Sequence, residues 1–510
     1  MTRRQVVVVG AGPGGLAAAG AALAAGAEVT LIEASERPGG QYHRMLPEAY
    51  EADRPEAVQH GHRSFDSAAR RVLGHPRCSW WAGSSVWALE RREPGAAAGP
   101  PAVHVLRGGP GSPRRRHVLA PDALVLATGA HDRVLPFPGW DLPGVFTAGA
   151  AQALVKGERL VIGDRVVVAG TGPFLLPVAA SLAEAGSRVV EVLEAAGAGQ
   201  VARGWLRRPW ELAPQAAKTG ELLSYARVLG RHRVPCRLGR AVVEARGGDR
   251  VEEVVTAGVR ADWSVVPGTE RVTAVDAVCV GHGFTPRLEL AVAAGCALRP
   301  VPGGTSAEAF VAVDDDQLTS CPGVYACGEI TGIAGAPAAR AEGAVAGWAA
   351  GGGDRAARPL SALRAQRDQG RSFAARLARA HPIGHAWPGW LRPDTVICRC
   401  EETDYAAVCA AATDPAATDA RVAKLATRAG LGPCQGRICG PTVAELRRHP
   451  GGQPGDRGQP GDPAGTPMPP GVHHRPVAEP IRLGELARPP GPPGGPAPSP
   501  FPHPTPKESS

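Results

Sequence analysis

Val6-Val7-Val8-Val9-Gly10-Ala11-Gly12-Pro13-Gly14-Gly15-Leu16 is the stretch whose reading decides the fold. The β-branched run favours a short strand, Gln5–Val9. The alanine-rich segment after the glycines favours a helix, Leu16–Ala25. A second apolar run, Glu28–Ile32, ends at Glu33. Strand, glycine turn, helix and strand, with an acid at the second strand end, form a dinucleotide-binding pattern. Each glycine has a reason. Gly10 permits the tight turn, and Gly12 lets a pyrophosphate approach the backbone. Gly15 lets helix and strand pack closely, and Gly14 is counted with the cofactor-binding glycines. The helix N-terminus directs free N–H groups at the phosphates, and Glu33 accepts from a ribose diol.

Outward from this motif, the composition looks less ordered. Gly (67) and Pro (51) make up about 23% of 510 residues, close to low-complexity levels. Yet 44% of residues are hydrophobic and fall in bounded runs, so a core is expected. No Gly-X-Y period and no sustained heptads occur, which excludes collagen and coiled coil. A net charge of +8 on this length gives no case for nucleic acid. Arg3 and Arg4 before the uncharged run Val6–Ala27 mimic a signal or membrane segment, but its glycines break it into strand and helix. A soluble cytoplasmic protein with no transmembrane segment is expected. Eleven scattered cysteines do not make a secreted disulfide scaffold.

A second glycine turn follows. Val166–Ala169 leads into Gly170-Thr171-Gly172-Pro173-Phe174-Leu175, and a strand Arg188–Leu193 ends at Glu194. Leu175 replaces the third glycine, which predicts a looser helix–strand approach. Glu194 suits an unphosphorylated ribose, so NAD or another adenine nucleotide. Three more segments carry information: Gly39-Gly40-Gln41, Leu124–Gly129 (Leu-Val-Leu-Ala-Thr-Gly) and Val324–Glu329 (Val-Tyr-Ala-Cys-Gly-Glu). With the two glycine turns they resemble the flavoproteins of the pyridine nucleotide-disulfide oxidoreductase-like fold. That resemblance implies FAD in the first unit. It places Gly40, Gln41, Thr128, Gly129, Gly328 and Glu329 beside the cofactor, with Glu329 where the family has Asp. The family's redox-active dithiol is absent. Cys321 and Cys327 flank a strand and are expected in the core.

Residues 396–449 hold Cys398-Arg399-Cys400 and, after 33 intervening residues, Cys434-Gln435-Gly436-Arg437-Ile438-Cys439. Four thiolates suit a [2Fe–2S] cluster; structural zinc is the alternative, although no histidine lies between the pairs. The pattern resembles the bacterioferritin-associated-ferredoxin-like [2Fe–2S] domain. Glycines at 430, 432, 436 and 440 would free N–H groups for the sulfurs, and Arg399 and Arg437 would offset cluster charge.

The whole set, with Pro136–Trp140, Leu142–Val145, Thr147–Gln152, Ala341–Gly343 and Pro480–Gly484, resembles the α (A) subunits of opine oxidases. These group with hydrogen cyanide synthase and proline or hydroxyproline dehydrogenase subunits. The resemblance implies a β subunit of D-amino-acid-oxidase type as partner, and an amino or imino acid substrate handled by the complex. The expected architecture is α/β with two Rossmann-like domains: an FAD-binding domain (1–155 and 276–353) interrupted by an NAD(P)-type domain (156–275). A helical connector (354–395), the [2Fe–2S] domain (396–449) and a disordered Pro/Gly-rich tail (450–510) follow, with a docking arm at 477–487. Nineteen of the 51 prolines lie in that tail. The Pro94–Pro113 stretch reads as a loop and Arg114–Arg116 as its solvated end. No catalytic base is assigned; His43, His131 and His282 read as structural. The function expected is FAD- and [2Fe–2S]-dependent electron transfer within an amine or imino acid dehydrogenase. A stand-alone NADH:acceptor reductase and a non-catalytic docking or iron-handling protein are the alternatives.

Overall fold

The first strand, Gln5–Val9, sits at the centre of a parallel five-stranded sheet ordered Val324–Ala326, Ala123–Leu126, Gln5–Val9, Glu28–Ile32, Cys78–Trp81. The computed structural model describes residues 3–46, 59, 61–91, 99–108, 113–207, 216–300, 309–354, 358–417, 419–448, 475 and 477–491. Ala123–Leu126 is buried at every position, as a parallel strand covered on both faces should be. The helices Pro13–Ala24 and Ala336–Ala350 cover one face and touch backbone to backbone. A Cβ on Gly343 would lie 2.0 Å from the Gly14 carbonyl oxygen, and one on Gly347 would lie 1.9 Å from that of Ala18. Mid-helix glycine costs about 1 kcal/mol against alanine, and here the close crossing offsets it. An antiparallel sheet, Ser84–Glu90, Ala102–Arg107 and Arg115–Leu119, covers the other face.

The second unit repeats this plan. Its parallel sheet runs Cys236–Leu238, Arg188–Glu194, Arg165–Gly170, Ala277–Gly281, Val145–Thr147. Its antiparallel sheet is Arg240–Arg246, Glu253–Gly258, Arg271–Ala274. The second parallel sheet therefore draws residues from outside 156–275 at both ends. Ala130–Asp132, paired antiparallel with Phe284–Pro286, joins the units.

Several local expectations need correction. The first helix starts at Pro13, three residues early, because proline is preorganised for the first helical turn. The second starts at Leu175, five residues after Gly170 rather than three, in keeping with the missing third glycine. Pro94–Pro113 is no simple loop, since Ala102–Arg107 pairs on both edges. The 92–98 and 109–112 parts lie outside the described residues. Arg114–Arg116 is no solvated end. Arg114 grips Glu485 through two bonds of 2.8 Å, and Arg116 lies 5.9 Å over the Trp87 ring. Most of the tail lies outside the described residues. Residues 477–491 dock on the first unit, where the Ala478 N–H donates to the Trp87 carbonyl at 2.7 Å. The connector is the long helix Arg358–Ala380. Among the described residues no helix is long and apolar enough to cross a membrane.

Candidate functional site

Gly12 shows what the first loop is built to admit. Its φ of −69° suits any residue, and a Cβ there would meet only Gly40 Cα, at 3.8 Å. No neighbouring described residue demands glycine at this position, so the space beside it is open to a ligand. Gly10 and Gly15 are held by packing instead. Their Cβ atoms would lie 2.4 Å from the Ala127 oxygen and 1.7 Å from the Gly10 oxygen. Gly14 backs on Ala339, whose oxygen would be 3.2 Å from a Cβ. Glu33 accepts from the Ala11 and Ser35 N–H groups at 2.7 and 3.0 Å, which fixes its carboxylate at the strand end. Gly40 has φ +59° and its would-be Cβ comes within 2.9 Å of Gly12 Cα, so the Gly39-Gly40-Gln41 turn roofs the loop; Gln41 is exposed.

Thr128 donates to the Arg287 carbonyl at 2.8 Å, tying the loop to the crossover. Gly129, at φ +71°, would place a Cβ in open space. Gly328 has φ +78°, and its N–H donates to Glu342 Oε2 at 2.9 Å. Glu329 accepts from the Gly335 N–H at 3.0 Å, at the start of the covering helix. Sequence reasoning missed Glu342. This buried carboxylate also accepts from the Thr331 hydroxyl at 2.6 Å and from Arg371 at 3.1 Å. It lies within Ala341–Gly343, a segment that carries the resemblance, but local sequence shows it only as an acid on an otherwise apolar helix.

In the second loop, Gly170 presses on Gly281, while a Cβ on Gly172 would meet nothing within 4 Å. Glu194 differs from Glu33 in being enclosed. It accepts from the Thr171 hydroxyl (2.9 Å) and the Gly172 and Ala196 N–H groups (2.7 and 2.8 Å). His381, from the connector, adds a fourth contact at 3.1 Å. Trp205 Nε1 donates to His381 Nε2 at 3.2 Å, so Nδ1 carries the proton toward Glu194. A nucleotide ribose bound at this strand end would have to share Glu194 with His381.

The cysteine module is built from short elements: Val396–Cys398, Thr403–Asp404 and the helices Tyr405–Thr413, Ala420–Thr427 and Gly440–Arg448. It brings the four thiols together as two contacting pairs, Cys398 with Cys439 and Cys400 with Cys434. The Cys439 thiol, together with backbone N–H groups, holds Cys398 well below the usual thiol range; the same contact and burial push Cys439 up. The Gly430 N–H donates to Cys398 Sγ at 3.4 Å, and Gly430 and Gly436 take the left-handed conformation the turns need. Gly432 lies against Cys400, where a Cβ would come within 2.2 Å of Cys400 Cβ. Among the described residues no group of three or more His, Cys, Asp or Glu side chains converges to hold a single metal ion.

The module docks on the chain just after Gly129. His131 Nε2 lies 2.9 Å from the Arg437 carbonyl oxygen, Thr442 donates to Val134 and Trp140 to Val396. Arg133 pairs with Glu445 at 3.1 Å. Arg399 stacks over Trp140 at 5.3 Å and donates to the Asp141 carbonyl. Arg437 is committed to Glu289 (3.0 Å) and Glu479 (3.3 Å), so its expected charge compensation toward the thiolates is largely met by those acids.

The three histidines His43, His131 and His282 each pack against neighbouring residues. His43 is buried and stacked on Phe65 at 4.2 Å. His282 lies beside Trp263 at 5.9 Å, and burial, reinforced by Arg133, pushes its pKa down to about 3. A depressed folded-state pKa means that stability is lost as pH falls below the ordinary value of about 6.5. At pH 5 the loss reaches roughly 2 kcal/mol. Unfolding measured at pH 7 and pH 5 should show His282→Gln losing less stability than the wild type by about that amount; equal losses would refute the assignment. Cys327 is fully buried, and Cys321 donates to the Ala294 carbonyl at 3.2 Å. Both are free thiols, as a core reading requires.

Residues 4–343 match the model of the pyridine nucleotide-disulphide oxidoreductase family. The chain is 32% identical over 456 residues to the A-type subunit of opine oxidase from Rhizobium meliloti, covering 87% of this chain and 81% of that one. It is 30% identical over 451 residues to hydrogen cyanide synthase subunit HcnB of Pseudomonas aeruginosa, covering 85% and 90%. L-proline dehydrogenase from P. horikoshii shares the fold, with a TM-score of 0.60 at 20% identity over 95% of this chain and 79% of that one.

Proposed function

The chain belongs to the pyridine nucleotide-disulphide oxidoreductase family, a family of flavin-dependent oxidoreductases, and from that premise we propose that it is the electron-transferring subunit of an amino or imino acid dehydrogenase complex. In this reading FAD occupies the first loop, and a [2Fe–2S] cluster is held by Cys398, Cys400, Cys434 and Cys439. The observation that carries it is the docking of the cysteine module, through Arg437, Thr442 and Val396, on His131, Val134 and Trp140, just after Thr128 and Gly129 at the end of the strand beside the first loop. Bound there, a flavin supplies two-electron chemistry and a [2Fe–2S] cluster single-electron transfer.

The residues present fit both groups. Gly12 leaves open the cradle that a Cβ would fill, and Glu33 stands ready at the strand end for a ribose diol. Glu342 and Arg371 hold the Gly328 turn rigid beneath the covering helix. In the module, two pairs of thiols match the two ligands that each iron of a binuclear centre takes, and the Gly430 N–H supports the sulfur. Substrate oxidation falls to a partner of D-amino-acid-oxidase type, which accords with His43, His131 and His282 being packed into the fold. The two relatives above are themselves named as subunits.

A stand-alone NADH:acceptor reductase would use the Gly172 loop, but the enclosure of Glu194 by His381 favours the first reading. Coexpression with the partner decides between them. Under anaerobic conditions the complex should reduce a dye with an opine, proline or hydroxyproline, and the isolated chain should not. Rapid dye reduction by the isolated chain with NADH alone would overturn the proposal.

A further inference from the structure

We propose that the cavity between the two units is a binding site for a phosphate-bearing organic anion, held by Lys156, Arg159 and Arg231. The cavity has a volume of about 1030 Å³. Its walls are the start of the helix His62–Leu73, the turn Leu154–Glu158, the end of Leu175–Glu184 and the helix Ala216–Arg231. It is separate from the second glycine loop. That loop meets the N-terminal end of Leu175–Glu184, whereas the cavity takes Ala180, Ser181, Glu184 and Ala185 from the other end. A ten-residue helix spans about 15 Å.

The charge on the walls is one-sided. Lys156, Arg159 and Arg231 all line the cavity, and none of their side chains makes a hydrogen bond or ion pair with another described residue. Among the described residues, Glu184 is the one acid lining it. The backbone is unusual where it delivers two of these cations. Leu154–Glu158 is a π-helical turn, and Arg159 ends it in the left-handed conformation at φ +57°. Such turns and non-glycine left-handed residues carry strain that concentrates at functional positions. They present Lys156 and Arg159 to the same space.

Residue choice adds a further argument. The chain has only four lysines, at 156, 218, 424 and 507, and otherwise uses arginine. Burial pushes the Lys156 ammonium down despite Glu221 and Glu184 nearby, so it gains from an anion that neither acid supplies by direct contact. Arginine forks match phosphate oxygens in pairs. The helix His62–Leu73 begins at the wall with no acidic residue in its first turn, so its positive end favours the same charge. His62 Nε2, also on the wall, is buried without a partner among the described residues. Val155, Val228 and the Tyr225 ring supply apolar surface for an organic body.

Pyridoxal phosphate is a suitable probe. Its aldehyde condenses with an unprotonated amine to give an imine and water, borohydride reduces the imine to a stable amine, and its phosphate is the proposed anion. The FAD-loaded full chain is treated and the lysines are mapped by peptide analysis. Lys156 is expected to be modified in preference to Lys424, because the cations beside it hold the phosphate of the probe. Pyrophosphate should suppress that labelling, and citrate should not. Arg231→Gln should remove most of the suppression while leaving flavin absorbance unchanged. Equal labelling of Lys156 and Lys424, or labelling insensitive to pyrophosphate, would overturn the proposal. Protection by citrate without protection by pyrophosphate would overturn the assignment to phosphate.

Discussion

Cys434→Ser is expected to purify without iron or labile sulfide, to keep FAD, and to lose at least about 100-fold in dye reduction by the complex. The argument starts from the sulfur pairs. Cys434 contacts Cys400, and Cys398 contacts Cys439, so each thiol completes one pair of a four-thiol set. Serine conserves size but binds iron far less well than thiolate. Cys434 is only half-buried, so the cost to folding should be small. FAD should stay because the first loop and its supports, Glu33, Glu342 and Gly40, take no contact from Cys434. Loss of iron together with FAD would show that the module and the first unit are not separable. Retained iron would remove the cluster from the account.

Gly12→Ala has the second largest expected effect, and Gly15→Ala is its control. Alanine fits the Gly12 backbone without strain, and its Cβ would contact only Gly40 Cα at 3.8 Å. The apoprotein should therefore unfold as the wild type does. A methyl group at this point enters the space of a pyrophosphate, costing about 2–3 kcal/mol, or roughly 30- to 150-fold in FAD affinity. At Gly15 the added Cβ would stand 1.7 Å from the Gly10 oxygen, so folding itself should suffer. Flavin titration alongside thermal unfolding separates the two. A Gly12→Ala protein with unchanged FAD affinity would mean that the loop does not hold a pyrophosphate.

What could be read from the chain, and what could not, follows the distance over which the residues act. The strand–turn–helix around Gly10–Gly15 was legible because propensity, glycine spacing and the acid at Glu33 all lie within 30 residues and agree. The Cys398–Cys400 and Cys434–Cys439 pairs were legible because the spacing is itself chemical information. Features made by distant partners were not. Glu194 looked like a free ribose acceptor until His381, 187 residues on, was seen bonded to it. Arg114 looked like loop charge until Glu485, 371 residues away, was found in its grip. Glu342 resembled any helical acid, because nothing local shows that Gly328 and Thr331 present an N–H and a hydroxyl to it. The π-helical turn at Leu154–Glu158 also leaves no local pattern, since its residues suit an ordinary helix equally well.

Counting electrons tests the central claim most directly. Anaerobic reductive titration of the purified chain should consume about three electrons per chain, two for a flavin and one for a [2Fe–2S] cluster. Cys434→Ser should consume about two. A wild-type end point at two electrons, with the flavin fully reduced and no iron signal, would contradict the account.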